Sequence, residues 1–232
     1  MTNSNIYLKQ AGGAISKKNI TNLFNLIVTK KEFFIQIFAN LIAQLGITYY
    51  IMERNTITFN LVQLIGLFFV QIFLIITIIA TPITSVKLIL FCVFSCINGL
   101  LLSGLKKKYD ASIIQSAIVG AISVFAVMFA FGVFLIISGI KLGIQVGLVL
   151  LSALSLLIIV RIVFIFIPSS SNIKRYLAIF GLILFSAYII YDTNSILQRN
   201  YYGDFITASL DYYLDFINIF RNLVTLNGFG DN

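Results

Sequence analysis

The chain has 232 residues, of which 59% are hydrophobic and 10% are charged, and its mean hydropathy is +1.02. These values lie outside the range of soluble globular domains and indicate one integral membrane domain. The net charge of +8 does not indicate nucleic-acid binding. The basic residues lie mainly in short connections beside apolar segments, where they orient helices at the membrane surface.

The first 31 residues are polar and basic, which predicts an N-terminal tail and does not indicate a cleavable signal peptide. Apolar segments of about 20 residues, enough to cross a bilayer, recur through residues 32–228. They predict an all-α bundle of seven transmembrane helices at 33–52, 61–80, 88–105, 111–131, 143–167, 176–197 and 205–226. A short C-terminal tail, 229–232, is expected to follow. Small residues such as Ala117, Gly120, Ala121, Gly143 and Gly147 indicate close helix packing.

The distribution of basic residues favours a cytosolic N-terminus by a small margin. In that orientation eight basic residues face the cytosol and six lie opposite. The Lys106–Lys108 cluster argues against this orientation, because it lies on the opposite side. The cytosolic set is Lys9, Lys17, Lys18, Lys30, Lys31, Lys87, Lys141 and Arg199. The opposite set is Arg54, Lys106, Lys107, Lys108, Lys174 and Arg175.

The sequence offers little for metal or redox chemistry. It contains no His and two Cys, so a structural zinc or iron site has no ligand set. Cys92 and Cys96 lie four residues apart on one helical face, where disulfide geometry is unfavourable, and are predicted to be packing residues. No cofactor and no enzymatic activity are expected.

Two acids stand inside apolar segments, where a carboxylate is costly and marks a functional candidate. Asp192 lies 11 residues before Gly203 in the last polar turn, and Asp215 lies 12 residues after it. In an antiparallel hairpin the two acids would therefore differ in depth by about 1.5 Å. Two carboxyl groups that meet in a low dielectric are expected to share a proton. Such a pair is suited to a pH-sensitive latch, or to a cation site when both groups are ionised.

Two other interpretations of these acids remain open. Each acid could instead bond independently to a neighbouring helix, with Tyr188, Tyr191 or Asn218 as partner. Paired carboxylates also serve glycoside hydrolysis, but nothing in the sequence indicates a substrate cleft.

The last hairpin also resembles that of the Bax inhibitor, or transmembrane BAX inhibitor motif, family. The segment 185–193, FSAYIIYDT, is similar to the signature of the family's sixth helix, and 213–220, YLDFINIF, to that of its seventh. Weaker similarity includes Pro82, Lys87 and the stretches 98–100 and 109–112, and extends from about residue 31 onward.

This resemblance implies a seven-helix fold with the last helix central, working as a pH-sensitive calcium leak. It also implies that Asp192 and Asp215 form the proton-sharing pair that controls a pore closed at the cytosolic side. Ca²⁺ would be the permeant ion.

The chain departs from the family pattern at two positions. Where bacterial relatives have an Arg that helps to latch the pair, the sequence is Ala80-Thr81-Pro82, with Lys87 the nearest base. Asp211, one helical turn before Asp215, stands where the family usually has a neutral polar residue. Asp211 would either extend a cation path from the cytosolic mouth or face the lipid headgroups.

Arg161 and Arg221 also lie within apolar segments. Each is close enough to a helix end for its guanidinium group to reach the outer interface, which is the expected position. The alternative is that one of them lines the outer vestibule, where its charge would impede cations.

Three functions fit these observations. A calcium leak gated by the acids, with a possible role in cell death or stress, is the first. An interaction partner in the membrane that suppresses cell death or regulates another membrane protein without conducting ions is the second. A proton-coupled transporter is the third, although no internal repeat or pair of interrupted helices supports it. The expected location is the plasma membrane for a bacterial protein, or an endomembrane for a eukaryotic or viral one.

Overall fold

The computed structural model describes residues 17–167 and 170–229, without the side chains of 17–27, 165, 200 and 202. Within these ranges the chain forms seven α-helices and no strand. They are α1 (Lys17–Arg54), α2 (Leu61–Ala80), α3 (Thr84–Lys108), α4 (Ala111–Ile137), α5 (Ile144–Phe166), α6 (Ser171–Arg199) and α7 (Phe205–Asn227). A 3-10 turn, Asn200–Gly203, joins α6 to α7. The predicted all-α bundle is confirmed. Of the predicted tails, residues 1–16 and 230–232 lie outside the described residues, whereas 17–31 belong to α1.

Several helices are longer than their apolar segments. α1 begins at Lys17 and α6 at Ser171, well before the predicted starts at 33 and 176. Polar side chains at the ends of a spanning helix sit in the interfacial region, so they do not end the helix. α2 begins with a capping box in which the side chains of Asn60 and Gln63 each accept a hydrogen bond from the other's backbone N–H.

The helices alternate in direction along the chain, so the connections gather at two ends of the bundle. We call the "turn end" the one with connections 81–83, 138–143 and 200–204, and the "far end" the one with 55–60, 109–110 and 167–170. Hydrogen bonds join neighbouring connections at each end. Asn194 contacts the backbone of Ile140 and Leu142 at the turn end, while Asn55 donates to Ser103 Oγ at the far end.

α7 lies at the centre of the bundle, packed against α1, α3, α4 and α6. By length and composition, six helices of the described chain can cross a membrane, and α7 is the helix that does not meet this criterion. Its lower hydropathy is tolerated because its neighbours shield it from lipid. α2 packs mainly on α3 and α5 mainly on α6, and both expose many apolar side chains. A central last helix is therefore confirmed.

Small residues permit the close contacts around α6 and α7. Ala117 and Ala121 of α4 are fully buried. A Cβ atom on Gly120 would lie 3.0 Å from Leu223, and one on Gly147 would lie 2.7 Å from Tyr191 Cζ. These contacts fit the predicted packing role of Ala117, Gly120, Ala121 and Gly147. Gly143 does not fit it, because it is exposed before the start of α5 and a Cβ atom there would have no neighbour within 4 Å. Cys92 and Cys96 are both unpaired.

Candidate functional site

The structure brings Asp192 of α6 and Asp215 of α7 together. Their carboxyl groups lie within hydrogen-bonding reach of each other, as the equal depth of the two residues predicts. Both are buried, with exposed fractions of 8% and 3%. Two carboxyl groups in this arrangement can form a hydrogen bond when one of them carries a proton.

One oxygen of this Asp pair is left without a donor. Asp215 Oδ2 is buried and accepts no hydrogen bond from any described group outside the pair. Ionised carboxylates normally accept several hydrogen bonds, so such an oxygen is unusual at a purely structural acid. The pair therefore has spare capacity to accept a proton, a water or a cation.

Tyr188, Tyr191 and Asn218 do not hydrogen-bond to Asp192 or Asp215 in the part of the chain that the structure describes. Tyr188 is near enough to interact electrostatically with both acids, and its ring stacks on Phe185. Tyr191 instead packs on Gly147 of α5. Asn218 Nδ2 donates to Leu214 O within α7, at 2.8 Å. The arrangement differs from one in which each acid bonds independently to these residues.

Asp211 extends the row of acids toward the turn end. It is partly buried, its charge acts on Asp192 and Asp215, and it accepts a hydrogen bond from the Tyr201 hydroxyl. Tyr201 lies in the 3-10 turn with φ of 42°, the only positive φ of a residue other than glycine in the described chain. Backbone strain of this kind collects at functional sites. Tyr201 could not be identified from the sequence, because a short turn has no periodicity.

Lys87 does not replace the missing Arg of the latch. Its ammonium group forms an ion pair with Asp204 and donates to Thr207 Oγ1 at 2.9 Å. Asp204 in turn caps α7 by accepting from Thr207 N at 3.0 Å. Thr81, at the position of the Arg, donates to Thr77 O of its own helix. The base near Thr81 therefore binds the α6–α7 turn and not the Asp pair.

Further contacts hold the end of α6 to its neighbours at the turn end. Lys30 of α1 donates to the carbonyl groups of Ile196 and Leu197, at 3.2 and 2.5 Å. A cation there also interacts favourably with the C-terminal end of the helix dipole. With the contacts of Asn194 and Lys87, these bonds fix the turn end around the Asp pair.

Two buried polar contacts beside α7 were not anticipated. The hydroxyl groups of Thr193 and Tyr212 are 2.9 Å apart, next to Asp192. On the other side, a ladder of polar residues spaced by four on α1 bonds to α3 and α7. It comprises Asn40, Gln44 and Thr48, with Ser95, Ser209 and Tyr213 as partners. The i, i+4, i+8 spacing of polar residues in an apolar segment is the signal that indicates such a ladder.

Asp192 and Asp215 belong neither to a preformed metal cluster nor to the lining of the apolar cavity described below. Among the described residues, no group of three His, Cys, Asp or Glu side chains is placed to hold a metal ion. A cavity of about 600 Å³ between α1, α3, α4 and α7 has a lining without charged residues. A transient Ca²⁺ site at Asp192 and Asp215 stays a prediction.

The two intramembrane arginines differ in their surroundings. Arg221 is exposed, as expected for a side chain that reaches the interface. Arg161 instead turns into the bundle and donates from Nη2 to Asn222 Oδ1, at 2.6 Å. The far half of α7 is therefore lined by positive charge.

Comparison with known proteins places these features in a family context. Residues 30–232 match the sequence model of a family described as inhibitor of apoptosis-promoting Bax1. The chain is 32% identical over 166 residues to Bax inhibitor 1 of Schizosaccharomyces pombe, covering 71% of this chain and 61% of that protein. It is 28% identical over 140 residues to the Golgi anti-apoptotic protein of Vaccinia virus (strain Lister), covering 60% of this chain and 57% of that protein. The chain thus spans about three-fifths of the length of these relatives.

Proposed function

Because the chain belongs to the family of inhibitors of apoptosis-promoting Bax1, we propose that it is a pH-sensitive calcium leak gated by Asp192 and Asp215. It is a multi-pass membrane protein with relatives named as anti-apoptotic. The observation that carries the proposal is the contact between two buried carboxyl groups on adjacent helices, one of which keeps an oxygen without a donor.

The number of protons on the Asp pair sets the strength of the contact between α6 and α7. One shared proton gives an O–H···O⁻ bond, which is roughly twice as strong as a neutral hydrogen bond. A second proton replaces it with a neutral bond, and loss of the shared proton leaves two charges that repel each other. The leak is therefore expected to be smallest where the pair holds one proton and to rise on either side of that pH.

Asp211 and Tyr201 suit a cation path between the Asp pair and the turn end. Asp211 adds carboxylate oxygens, which Ca²⁺ prefers as ligands. Tyr201 covers Asp211 through the hydrogen bond from its hydroxyl group. In this proposal, the closed state is the one in which Tyr201 covers Asp211 and the contacts of Lys30, Lys87 and Asn194 hold the turn end.

The turn end is proposed to face the cytosol, with the N-terminus on the same side. The modest excess of basic residues at this end supports that orientation. The Golgi anti-apoptotic relative supports an endomembrane location. Selective labelling of single cysteines introduced at Lys31 and Lys106, in sealed vesicles, distinguishes the two orientations.

A flux assay tests the leak directly. The purified chain is reconstituted in liposomes that contain a calcium dye, and Ca²⁺ influx is measured from pH 5 to pH 9. Wild type is expected to conduct with a pH dependence. The double variant Asp192→Asn/Asp215→Asn is expected to conduct without one, since its amides do not titrate in this range.

Asp110→Asn is the matched control, because Asp110 is exposed at the far end and its side chain makes no capping bond. It should retain the pH profile of the wild type. The absence of influx through wild type, or an unchanged pH profile in the double variant, would refute the leak.

The names of the relatives favour a second candidate, an interaction partner that restrains cell death without conducting ions. Survival of stressed cells separates the two functions. If cells that express the double Asn variant keep full protection, the protective role does not depend on the gated leak. If protection and pH-dependent flux disappear together, the leak is the better explanation.

A further inference from the structure

The far half of α7 contains positive charge that no described carboxylate balances. Within the described residues the ion pairs are Lys87 with Asp204 and Lys106 with Glu53. Arg161 and Arg221 take part in neither, although their charges are close enough to repel each other. An Arg within a spanning segment is usually paired or faces a polar partner. Arg161 bonds to one neutral amide, that of Asn222, and Arg221 is the residue next to it in α7.

Asn222 adds an unused hydrogen-bond donor at the same place. Its side chain is only 2% exposed, and its Oδ1 already accepts from Arg161. Its Nδ2 has no acceptor among the described residues. Buried donors without partners are rare, and a missing ligand is one of their explanations. All the unused groups at this point are donors, so the missing partner is an acceptor.

A glycine of α6 creates the space in which these groups meet. A Cβ atom on Gly181 would lie 2.7 Å from Asn222 Nδ2 and 2.9 Å from Arg161 Nη2. Arg161 therefore reaches α7 from α5 across the surface of α6 only because residue 181 has no side chain. Three helices therefore contribute to this contact: α5 supplies Arg161, α6 supplies Gly181 and α7 supplies Asn222.

We propose that Arg161, Arg221 and Asn222 form a binding site for the oxygen atoms of a phosphate group. The planar guanidinium fork matches two oxygens of a phosphate, and the Asn222 amide supplies a further donor. A halide is a single atom and does not offer the two oxygens that such a fork matches. Phosphate can come from the headgroup of a phospholipid or from free inorganic phosphate, and the chemistry of recognition is the same.

The depth of the site suits both sources. Arg161 lies five residues before the end of α5, and Arg221 six before the end of α7. These offsets correspond to about 8 to 9 Å along a helix, within reach of the interface for a long Arg side chain.

The test uses the full chain in detergent and measures thermal unfolding together with native mass spectrometry. One arm titrates sodium phosphate against sodium chloride at equal ionic strength. A second arm adds phosphatidylglycerol, and a third adds diacylglycerol, which has the same chains without the phosphate. A rise in Tm with inorganic phosphate identifies the free ion. A rise in Tm and retained lipid with phosphatidylglycerol, but not with diacylglycerol, identifies the headgroup.

Variants locate the effect. Arg161→Gln and Arg221→Gln should each weaken binding by about tenfold, the usual effect of losing a charged hydrogen-bond partner. Lys174→Gln removes an exposed base at the same end and should leave binding unchanged. Asn222→Asp supplies an internal carboxylate to both Arg side chains, so it should raise the Tm and abolish the response to phosphate.

The proposal is overturned if wild type responds to neither phosphate source. It is also overturned if Lys174→Gln weakens binding as much as the Arg variants, because the effect would then be general surface charge. The calcium leak can fail or succeed independently, since none of these measurements involves flux.

Discussion

The two halves of α7 carry opposite charges and satisfy them differently. In the half near the turn end, Asp204, Asp211 and Asp215 each have a partner: Lys87, Tyr201 and Asp192. In the far half, Arg161 bonds to the neutral amide of Asn222, and neither Arg161 nor Arg221 pairs with a carboxylate among the described residues. The helix dipole favours the carboxylate of Asp204 at the start of α7. Its effect falls off within one turn, so it does not explain the positions of Asp211, Asp215 and Arg221.

The halves also differ in how neighbouring helices reach α7. At the turn end, the side chains of Lys30 in α1 and Lys87 in α3, and the backbone of the α4–α5 connection, hold the ends of α6 and α7. At the far half, contact depends on the missing side chain of Gly181. The turn end is held by several hydrogen bonds and an ion pair, whereas the far half depends on close packing of helices at Gly181. The two regions should therefore respond to different mutations.

The largest effect is expected in the far half, from Gly181→Ala. The added Cβ would lie within 3 Å of the ends of the Arg161 and Asn222 side chains, so both ends must move and their hydrogen bond is lost. We expect a loss of about 3 kcal/mol in the free energy of unfolding, measured by reversible unfolding in mixed micelles. Gly46→Ala is the control, since a Cβ atom there has no neighbour within 4 Å. Equal behaviour of the two variants would show that the far half does not depend on close approach.

At the turn end, Lys87→Met should have the next largest effect. It removes the ion pair with Asp204 and leaves a partly buried carboxylate without its cation. We expect a loss of about 2 kcal/mol, less than for a fully buried pair because Asp204 is one-third exposed. Lys106→Met breaks the exposed pair with Glu53 and should cost less than about 1 kcal/mol. If Lys87→Met and Lys106→Met lose similar free energies of unfolding, the pair of Lys87 with Asp204 has no special role.

Tyr201→Phe should have a smaller effect, about 1 kcal/mol, through loss of the hydrogen bond to Asp211. Burial and the charge of Asp211 raise the pKa of Tyr201, so the hydroxyl group stays protonated and donates across the usual pH range. If Tyr201 covers a cation path, the variant should also increase calcium influx. Tyr176→Phe, at an exposed tyrosine, should change neither stability nor flux.

The smallest effect concerns acid stability. Partial burial raises the pKa of Asp204, but the hydrogen bonds from Lys87 and Thr207 outweigh it and hold that pKa below its ordinary value of 3.8. This group therefore stabilises the fold above pH 3.8, and the contribution is lost as the pH falls through its lower folded value. Asp204→Asn should unfold with a shallower pH dependence below about pH 4 than wild type. Identical slopes in acid unfolding curves would contradict the assignment.

Much of the bundle follows from hydropathy and from counting along the chain. Seven apolar segments predict seven helices, and counting outward from Gly203 predicts the contact between Asp192 and Asp215. Helix ends were less predictable. Hydropathy detects the part of a helix in hydrocarbon, whereas α1 and α6 continue through polar residues in the interface.

The partners of the charged groups could not be predicted in the same way. Lys87 and Asp204 are far apart in sequence, and only the packing of α3 on the α6–α7 turn brings them together. The sequence placed Arg161 near the interface, but Gly181 allows it to turn inward. Such contacts depend on which faces of the helices meet, and one sequence contains no direct record of that.

The low hydropathy of α7 has a consequence for how the protein is made. A helix with two acids and an Arg in its middle is poorly suited to leave the translocon for lipid on its own. α7 follows the six apolar helices in the chain, so its neighbours are synthesised before it and can receive it. The charges that distinguish α7 thus make its insertion depend on the order of synthesis. A chain that lacked α6 would leave it facing lipid tails.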